Sequence, residues 1–336
     1  MNMMRRRDVL RQAIGGLSAA LTVSNAAYAA VDAERFPSRY ITLIVPWGAG
    51  GPPDSIARIV AARLSEALGN PVIVDNRPGA STSIAATAVA RASPDGYTLM
   101  QVDMSFVVTP HIFSNMRVDP LKDFKPVGQS AKSQFVLIVS PALSTPSVAD
   151  FLKLAKTKQE AVMIGHSGIG STPHLAAITF MKATGINPLL VSYRTIAQAT
   201  DDVMAGQIAA IFSAEGMAIG LAKSGNVQVL GVTGAKRVVE LPDVPTFNEN
   251  GIQMTGFENG SWYGIVAPAK TPDDVIAKLN TALNKVTEAN EVNGRLAASG
   301  VELSVGTPQE FEALLAAQYT YWGKTLRAAG VTPQEK

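Results

Sequence analysis

The chain has 336 residues, of which 29 are basic, 27 are acidic and three are histidine, and it contains no cysteine. The lack of cysteine excludes disulfides, thiolate metal sites and cysteine nucleophiles, and three histidines disfavour a histidine-rich metal centre. Because hydrophobic residues make up 47% of the chain, burial alone can stabilise about two domains at this length.

The first 29 residues have the pattern of an export signal. Four arginines between residues 5 and 11 precede an apolar run at residues 13–23, and Ala27-Tyr28-Ala29 fits the small-x-small cleavage rule. Both the Sec and the twin-arginine routes stay open. We predict cleavage near Ala29 and a soluble periplasmic protein, because no later segment is long and apolar enough to span a bilayer, which takes about 20 residues.

Removal of this segment changes the charge balance. The segment carries four arginines and one aspartate, so the remaining 25 basic and 26 acidic side chains nearly cancel. Such a chain has no basic field that would attract nucleic acid or anionic membranes, and neither is expected as a partner.

The mature sequence alternates short apolar runs with helical periodicity, the pattern of an α/β protein. The run YITLIVP at residues 40–46 predicts a strand that is buried on both faces of a parallel sheet. A helix is expected from Asp54, as its cap, to Gly69. Further strands are predicted at residues 71–75 and 97–102, and a further helix at residues 83–92.

A second α/β series begins near residue 135. Its predicted strands are residues 135–140, 162–165, 189–193, 207–212 and 227–233, and its predicted helices are residues 148–156, 173–184, 196–205 and 217–223. Residues 240–260 contain two prolines and three glycines and predict a long irregular return. A strand is then predicted at residues 262–267, and a last helix with a core-facing apolar stripe at residues 309–329.

Two α/β series without a flexible linker predict two lobes that meet at a cleft. The first lobe is expected to comprise residues 30–130 and 256–336, and the second lobe residues 131–255. Hinge connections are expected at residues 125–133 and 256–267, where the lobe pattern changes.

The sequence around Ser167 is similar to the turn that exposes the nucleophile of a hydrolase. The G-x-S-x-G motif requires glycine where this chain has Ile169. The only histidine after Ser167 is His174, in the first turn of the next predicted helix, and His166 is the adjacent residue. A secreted hydrolase using Ser167 is therefore the disfavoured alternative, and we predict that the protein is not an enzyme.

Two glycine-rich loops, each between a strand and a helix, predict an anion site instead. The first consists of Trp47, Gly48, Ala49, Gly50 and Gly51, and the second of Gly168, Gly170, Ser171 and Thr172. Their N–H groups are expected to converge on one ligand carboxylate, because ligands bind at the carboxyl ends of strands and helix N-termini favour anions. Ser171 or Thr172 is expected to cap the second helix, with Pro173 first in it. Neither loop has a nucleotide-binding motif.

Other polar residues follow predicted strands and are expected to line the same site. They are Ser81, Thr82, Ser105, His166, Tyr193 and Glu215. An acid–base pair of Asp103 and Glu215 is a weaker interpretation than a capping or solvated role for each. No cofactor and no metal ion is predicted.

The chain resembles the Bug-type periplasmic substrate-binding proteins of tripartite tricarboxylate transporters. The resemblance rests on segments in the family's order, among them ITLIVPWGAGG, PVIVDNRPGA, SPDGYTLM, GIGSTPHL, LPDVPTF, SWYGIVAP and YWGKTLRAAGV. It implies a two-lobed type II periplasmic binding protein fold of the Venus-flytrap type. It also implies a ligand carboxylate held by the loops at residues 47–51 and 168–172, and a large and a small membrane subunit as partners.

The chain departs from this family's usual pattern where the distal half of a ligand would lie. Ser81 and Thr82 stand where glycines are common, His166 replaces a small residue, and Tyr193-Arg194-Thr195 lacks a frequent Lys-Gly pair. A standard citrate-like ligand is therefore not assumed, and we expect a receptor for a small organic anion, either a di- or polycarboxylate or an aromatic acid. The receptor is expected to be a monomer. A receptor that passes its ligand to a signalling protein is the alternative to transport.

Overall fold

From residue 40 onward, the described residues form two β-sheets with helices packed against them. The structure, a computed structural model, describes residues 36–79, 81–114, 116–158, 162–258, 260–285, 300–331 and 333. Residues 1–39 and 40–336 form separate units, and both sheets belong to the second. The predicted signal peptide at residues 1–29 lies outside the described residues.

Strands and helices alternate through most of the sequence. The strands are β1 (Ile41–Val45), β2 (Val72–Asn76), β3 (Thr98–Asp103), β4 (Phe124–Ser133), β5 (Phe135–Val139), β6 (Met163–His166), β7 (Leu189–Ser192), β8 (Ala210–Ala214), β9 (Gln228–Val232), β10 (Ser261–Pro268) and β11 (Glu302–Leu303). The helices are α1 (Pro52–Leu68), α2 (Ser83–Ala90), α3 (Met104–Ile112), α4 (Val148–Thr157), α5 (Thr172–Thr184), α6 (Ile196–Met204), α7 (Glu215–Ser224), α8 (Asp273–Lys285) and α9 (Pro308–Ala328).

The first sheet has the strand order β11-β4-β10-β3-β1-β2, and the second has the order β7-β6-β8-β5-β9. In the first sheet β1 pairs parallel to β2 and β3, whereas β10 runs antiparallel to both β3 and β4. In the second, β6 pairs parallel to β7 and β8, and β5 is antiparallel to β8 and β9. The parallel, buried setting predicted for residues 40–46 is confirmed.

The chain passes between the two sheets twice. Gln134 alone separates β4 in the first sheet from β5 in the second, and residues 233–260 lead back from β9 to β10. Most of the residues expected to form hinge connections lie in β4 and β10, which pair along their length. The segment at 240–260 is irregular, as predicted, apart from a 3₁₀ turn at Asn248–Asn250.

Three elements, α3, β4 and the two-residue strand β11, were not predicted from the sequence. Helix α3 is buried almost all round, so its apolar residues form no one-sided stripe, and it contains Pro110. Strand β4 contains Pro126, which lies at a register irregularity opposite Val266, a position where a strand tolerates proline. The other predicted helices and strands differ from the observed ones by a few residues at their ends. The largest difference is in β8, which begins at Ala210 rather than at residue 207.

One hydrophobic core cluster draws buried residues from both sheets. Phe106 and Phe124 pack edge to face in it at 5.1 Å between ring centroids, and Phe180 lies 5.6 Å from Phe212. The stripe predicted in the last helix also faces this core, through Phe311, Leu315, Trp322 and Leu326. Among the described residues, no helix has both the length and the apolar composition needed to cross a membrane.

Candidate ligand-binding site

A cavity of about 340 Å³ opens where strands of both sheets end, a volume suited to a small organic molecule. The first sheet contributes the loop after β1, the last residue of β3 and the start of β10. The second sheet contributes the start of β5, the end of β8 and the segments after β6 and β7. The described residues that line the cavity are Trp47, Gly48, Ala49, Gly50, Gly51, Pro52, Pro53, Asp103, Phe135, Ser167, Ser171, Thr172, Pro173, Arg194, Thr195, Ile196, Ala197, Ser213, Ala214, Met217 and Tyr263.

All five residues predicted in the first loop, Trp47–Gly51, line this cavity. Asp54 and Asn76 hold the loop in place. The Gly50 N–H donates to Asp54 Oδ2 at 2.8 Å, and the Asn76 side-chain amide donates to Asp54 Oδ1 and to the Trp47 carbonyl, each at 2.9 Å. Burial raises the pKa of Asp54, but hydrogen bonds from Arg58, Gly50 and Asn76 outweigh it, and the net pKa lies below the usual value.

Helix α1 begins three residues earlier than predicted. Gly51 is its N-cap, so the expectation that Asp54 caps the helix is wrong, and the carboxylate binds the preceding loop instead. Pro52 and Pro53 occupy the first two helical positions and carry no N–H. The available donors are therefore those of the loop: among the described residues, no hydrogen bond engages the N–H groups of Gly48, Ala49 and Gly51.

The glycines of the second loop are turned away from the cavity. Gly168 donates its N–H to His166 Nδ1 and Gly170 donates to His174 Nδ1, both at 3.2 Å. This corrects the expectation that these two N–H groups point at a ligand carboxylate. The loop instead packs closely on helix α3, because a Cβ atom at Gly170 would lie 2.6 Å from Ile112 Cδ1.

Three hydroxyl-bearing residues of this segment, Ser167, Ser171 and Thr172, do line the cavity. Ser171 is the N-cap of α5 by position, but its hydroxyl donates to the Gly168 carbonyl at 2.7 Å rather than capping the helix. Thr172 is the first helical residue and Pro173 the second, so Thr172 does not cap α5 and Pro173 does not begin it as predicted. The Thr172 hydroxyl makes no hydrogen bond with any described residue and is available to a ligand.

The two histidines lie behind the loop rather than in the site. His166 and His174 are buried, with ring centroids 4.5 Å apart. Burial lowers the pKa of both imidazoles, to about 3 for His174, so both are neutral near pH 7. Each Nδ1 accepts a glycine N–H, which leaves the proton on Nε2. Among the described residues, Ser167 makes no hydrogen bond with a histidine, so the base that a serine nucleophile requires is missing.

Three further predicted site residues stand near the strand ends but do not line the cavity. The Ser81 carbonyl accepts from Thr109 Oγ1 at 2.9 Å, and Thr82 is buried as the N-cap residue of α2. Ser105 lies in the first turn of α3 and donates its N–H to Asp103 Oδ1 at 2.9 Å. Asp103 therefore caps α3, which is the role that the sequence favoured over an acid–base role.

Tyr193 and Glu215 also do not line this cavity. The Tyr193 hydroxyl donates to Asp202 on α6 at 2.7 Å. Glu215 opens α7 and lines a second cavity together with Gln134, Glu240 and Glu302. In the part of the chain that the structure describes, no group of three or more histidine, aspartate or glutamate side chains is placed to hold a metal ion.

Sequence reasoning missed several residues that line the cavity. Tyr263 stands opposite Asp103 in the β3–β10 ladder, so both project from the same face of the sheet. No local signal marks this pair, because the two residues are brought together by long-range strand pairing. Arg194 was not missed: it lies in the segment Tyr193-Arg194-Thr195, whose position after a strand marks it in the sequence, and it is exposed and has no ion pair among the described residues.

The family model of the tripartite tricarboxylate transporter family receptor matches residues 56–331. The "UPF0065 protein in tcbD-tcbE intergenic region" of Pseudomonas sp. (strain P51) is 31% identical, with 94% of this chain and 93% of the relative covered. Protein BugT of Bordetella pertussis (strain Tohama I) is 29% identical, with coverages of 90% and 93%.

Solved structures of periplasmic binding proteins have the same two-lobed fold. Rpa4515 of R. palustris, solved with adipate, has a TM-score of 0.82 and 33% identity, and covers 89% of this chain and 100% of its own. MatC (Rpa3494) from Rhodopseudomonas palustris, with bound malate, has a TM-score of 0.78 and 27% identity, with coverages of 87% and 100%. The resemblance noted in the sequence is confirmed: this chain belongs to the tripartite tricarboxylate transporter receptor family of periplasmic solute-binding proteins, which are receptors and not enzymes.

Proposed function

We propose that the protein captures a small organic carboxylate in the periplasm and delivers it to the membrane subunits of a tripartite tricarboxylate transporter. The observation that carries the proposal is a set of donors around one cavity that have no partner among the described residues. These are the N–H groups of Gly48, Ala49 and Gly51, the Thr172 hydroxyl and the Arg194 guanidinium. Hydrogen bonds from such groups to a carboxylate are stronger than neutral ones because the acceptor is charged.

The relatives support the same ligand class. The structures of Rpa4515 and MatC hold adipate and malate, both carboxylates. In this chain the apolar side chains of Phe135, Ile196 and Met217 line the cavity beside the donors, which suits a carboxylate attached to a short carbon skeleton.

A ligand panel with matched esters tests the proposal. Purified protein without residues 1–29 is titrated by calorimetry and by thermal shift with C4–C6 monocarboxylates, dicarboxylates and their amino and hydroxy derivatives. At least one acid is expected to raise the melting temperature in a saturable way, because a ligand that binds only the folded state stabilises it. Its methyl ester is expected to bind at least tenfold more weakly, and equal affinity for acid and ester contradicts the proposal.

The cellular location, the oligomeric state and the membrane partner of the protein are each tested by a separate measurement. The protein from a periplasmic extract is expected to begin at Ala30 and to elute as a monomer in light scattering. Deleting the genes for the membrane subunits is expected to abolish uptake of the ligand while purified receptor still binds it. Unimpaired uptake in that strain contradicts the transport role.

A further inference from the structure

The wall of the cavity contains a carboxyl group that the carboxylate-receptor proposal does not use. Asp103 is the last residue of β3 and is 5% exposed, and its neighbour across the ladder, Tyr263, is 3% exposed. Both side chains line the cavity. The negative charge of Asp103 repels a ligand that places a second negative charge at this wall of the cavity.

In the part of the chain that the structure describes, no cation neutralises the Asp103 carboxyl group. Asp103 Oδ1 accepts the Ser105 N–H at 2.9 Å, and among the described residues no lysine, arginine or histidine lies within ion-pair distance. Burial raises the pKa of Asp103 to about 6, while hydrogen bonds from Ser105 and the Trp47 indole act in the opposite direction. Near pH 7 the group is therefore mostly ionised, buried and without a countercharge, a costly state unless a ligand compensates it.

The opposite charge lies on the other side of the cavity. Arg194 follows β7 of the second sheet, is exposed, and has no ion pair among the described residues. The cavity thus presents a guanidinium and loop N–H groups for an anionic group, and a carboxylate for a cationic one. This pattern of charges is complementary to a zwitterion and not to a plain dianion.

We infer that Asp103 is a specificity-determining residue that pairs with an ammonium group of the ligand, so that the protein selects amino carboxylic acids over plain dicarboxylates. The inference rests on the proposed carboxylate receptor and narrows its ligand class. The ligand carboxylate then faces the loop at residues 47–51 and Arg194, and the ammonium faces Asp103 and the hydroxyl of Tyr263. An ammonium group in this position supplies a countercharge to Asp103 and donates a charge-assisted hydrogen bond to its carboxylate.

The test compares acids of equal chain length. For C4, C5 and C6 skeletons, calorimetry measures the affinity of the unsubstituted acid, the 2-amino and terminal amino acids, their hydroxy analogues and the dicarboxylate. The variants are Asp103→Asn and Asp103→Ser, both of which keep a side chain able to cap α3. Asp201→Asn makes the same chemical change on the exposed face of α6 and serves as the matched control.

An amino acid is expected to bind the wild-type protein at least tenfold more tightly than the unsubstituted acid and the dicarboxylate of the same length. Both Asp103 variants are expected to weaken that binding ten- to a hundredfold, roughly the loss of a charge-assisted hydrogen bond, and to bind the dicarboxylate better than before. Asp201→Asn is expected to leave all affinities unchanged.

Three results would overturn this inference and leave the proposed function intact. The first is that acids bind but Asp103→Asn keeps the wild-type selectivity, and the second is that a hydroxy analogue binds as tightly as the amino acid. The third is that the dicarboxylate binds best, and more tightly at pH 5 than at pH 8. The last would mean that a protonated Asp103 donates to a second ligand carboxylate. If no acid binds, or if esters bind as well as acids, the proposed function itself fails.

Discussion

The carboxylate of Asp54 accepts the N–H of Gly50 at 2.8 Å, which ties the first turn of α1 back to the loop that precedes it. The same carboxylate receives Arg58 Nε at 3.0 Å and the Asn76 amide at 2.9 Å. Helix, loop and neighbouring strand are thus joined at one buried acid, 3% exposed. The conformation that presents the N–H groups of Gly48, Ala49 and Gly51 to the cavity depends on this acid.

Asp54→Ala is expected to lower both stability and affinity. The loss of hydrogen bonds to a charged acceptor costs about 1.5–3 kcal/mol of unfolding free energy, measured by urea denaturation. Ligand affinity falls as well, because the loop is no longer held. The matched control is Asp75→Ala on β2, whose carboxylate is partly exposed and, among the described residues, pairs only with Arg77. Equal losses in the two variants would contradict the role of Asp54.

The same acid predicts a pH dependence. The folded-state pKa of Asp54 lies below its usual value of 3.8, so its contribution to stability is fully present above about that pH and is lost as the pH falls through the lower folded-state value. Wild-type protein and Asp54→Asn are therefore expected to differ most in melting temperature near pH 7, and to converge progressively as the pH falls below 3.8. A difference that persists undiminished in acid would show that the ionised form is not what stabilises the loop.

Gly170→Ala is expected to destabilise the fold for two reasons. The residue has φ +81°, which costs a side-chain-bearing residue about 1–2 kcal/mol, and the new Cβ would meet Ile112 Cδ1 at 2.6 Å. Forcing this contact adds about 1–3 kcal/mol. Denaturant titration of the double variant Gly170→Ala, Ile112→Val separates the two terms, since the smaller side chain relieves the contact. Ile112→Val alone is the control, and if the close approach to α3 were unimportant, the double variant would be less stable than Gly170→Ala by the full cost of Ile112→Val.

Local patterns were enough to predict the strands and loops that carry the site, but not the contacts made there. The apolar run of β1 followed by glycines marks the loop at residues 47–51 without any tertiary information. By contrast, the histidine acceptors of Gly168 and Gly170 follow from side-chain placement, which no periodicity encodes. Asp103 and Tyr263 are 160 positions apart in the chain, and only the antiparallel pairing of β3 with β10 puts them on one face.

Glu215 is expected to make stability fall as pH rises. Burial, followed by the nearby carboxylates of Glu240 and Glu302, raises its pKa to about 8, so the folded state favours the protonated form. A folded-state pKa above the unfolded value of 4.5 gives stability that is fully present below about pH 4.5 and is lost as the pH rises through about 8. The melting temperature of Glu215→Gln should therefore decline less between pH 5 and pH 8.5 than that of the wild type.

Glu66→Gln on the exposed face of α1 is the control for this comparison. It is expected to follow the wild-type profile. If Glu215→Gln also follows it, Glu215 does not titrate in this range, and the second cavity has no part in the pH dependence of stability.

Thr172→Val separates binding from stability. The Thr172 hydroxyl faces the cavity, is not the cap of α5, and makes no hydrogen bond with any described residue, so replacing it with a methyl group leaves the folded protein intact. The melting temperature without ligand is expected to stay within about 1 °C of the wild-type value, since a change well under 0.5 kcal/mol moves it little. Calorimetry should nevertheless show a ten- to a hundredfold loss of affinity, roughly that of one hydrogen bond to a charged acceptor.

Ser171→Ala should instead lower the melting temperature without ligand, because it removes the 2.7 Å bond to the Gly168 carbonyl and loosens the loop. If Thr172→Val lowers the melting temperature and leaves affinity unchanged, the hydroxyl is a structural group, and the carboxylate is held by the loop at residues 47–51 and Arg194 alone.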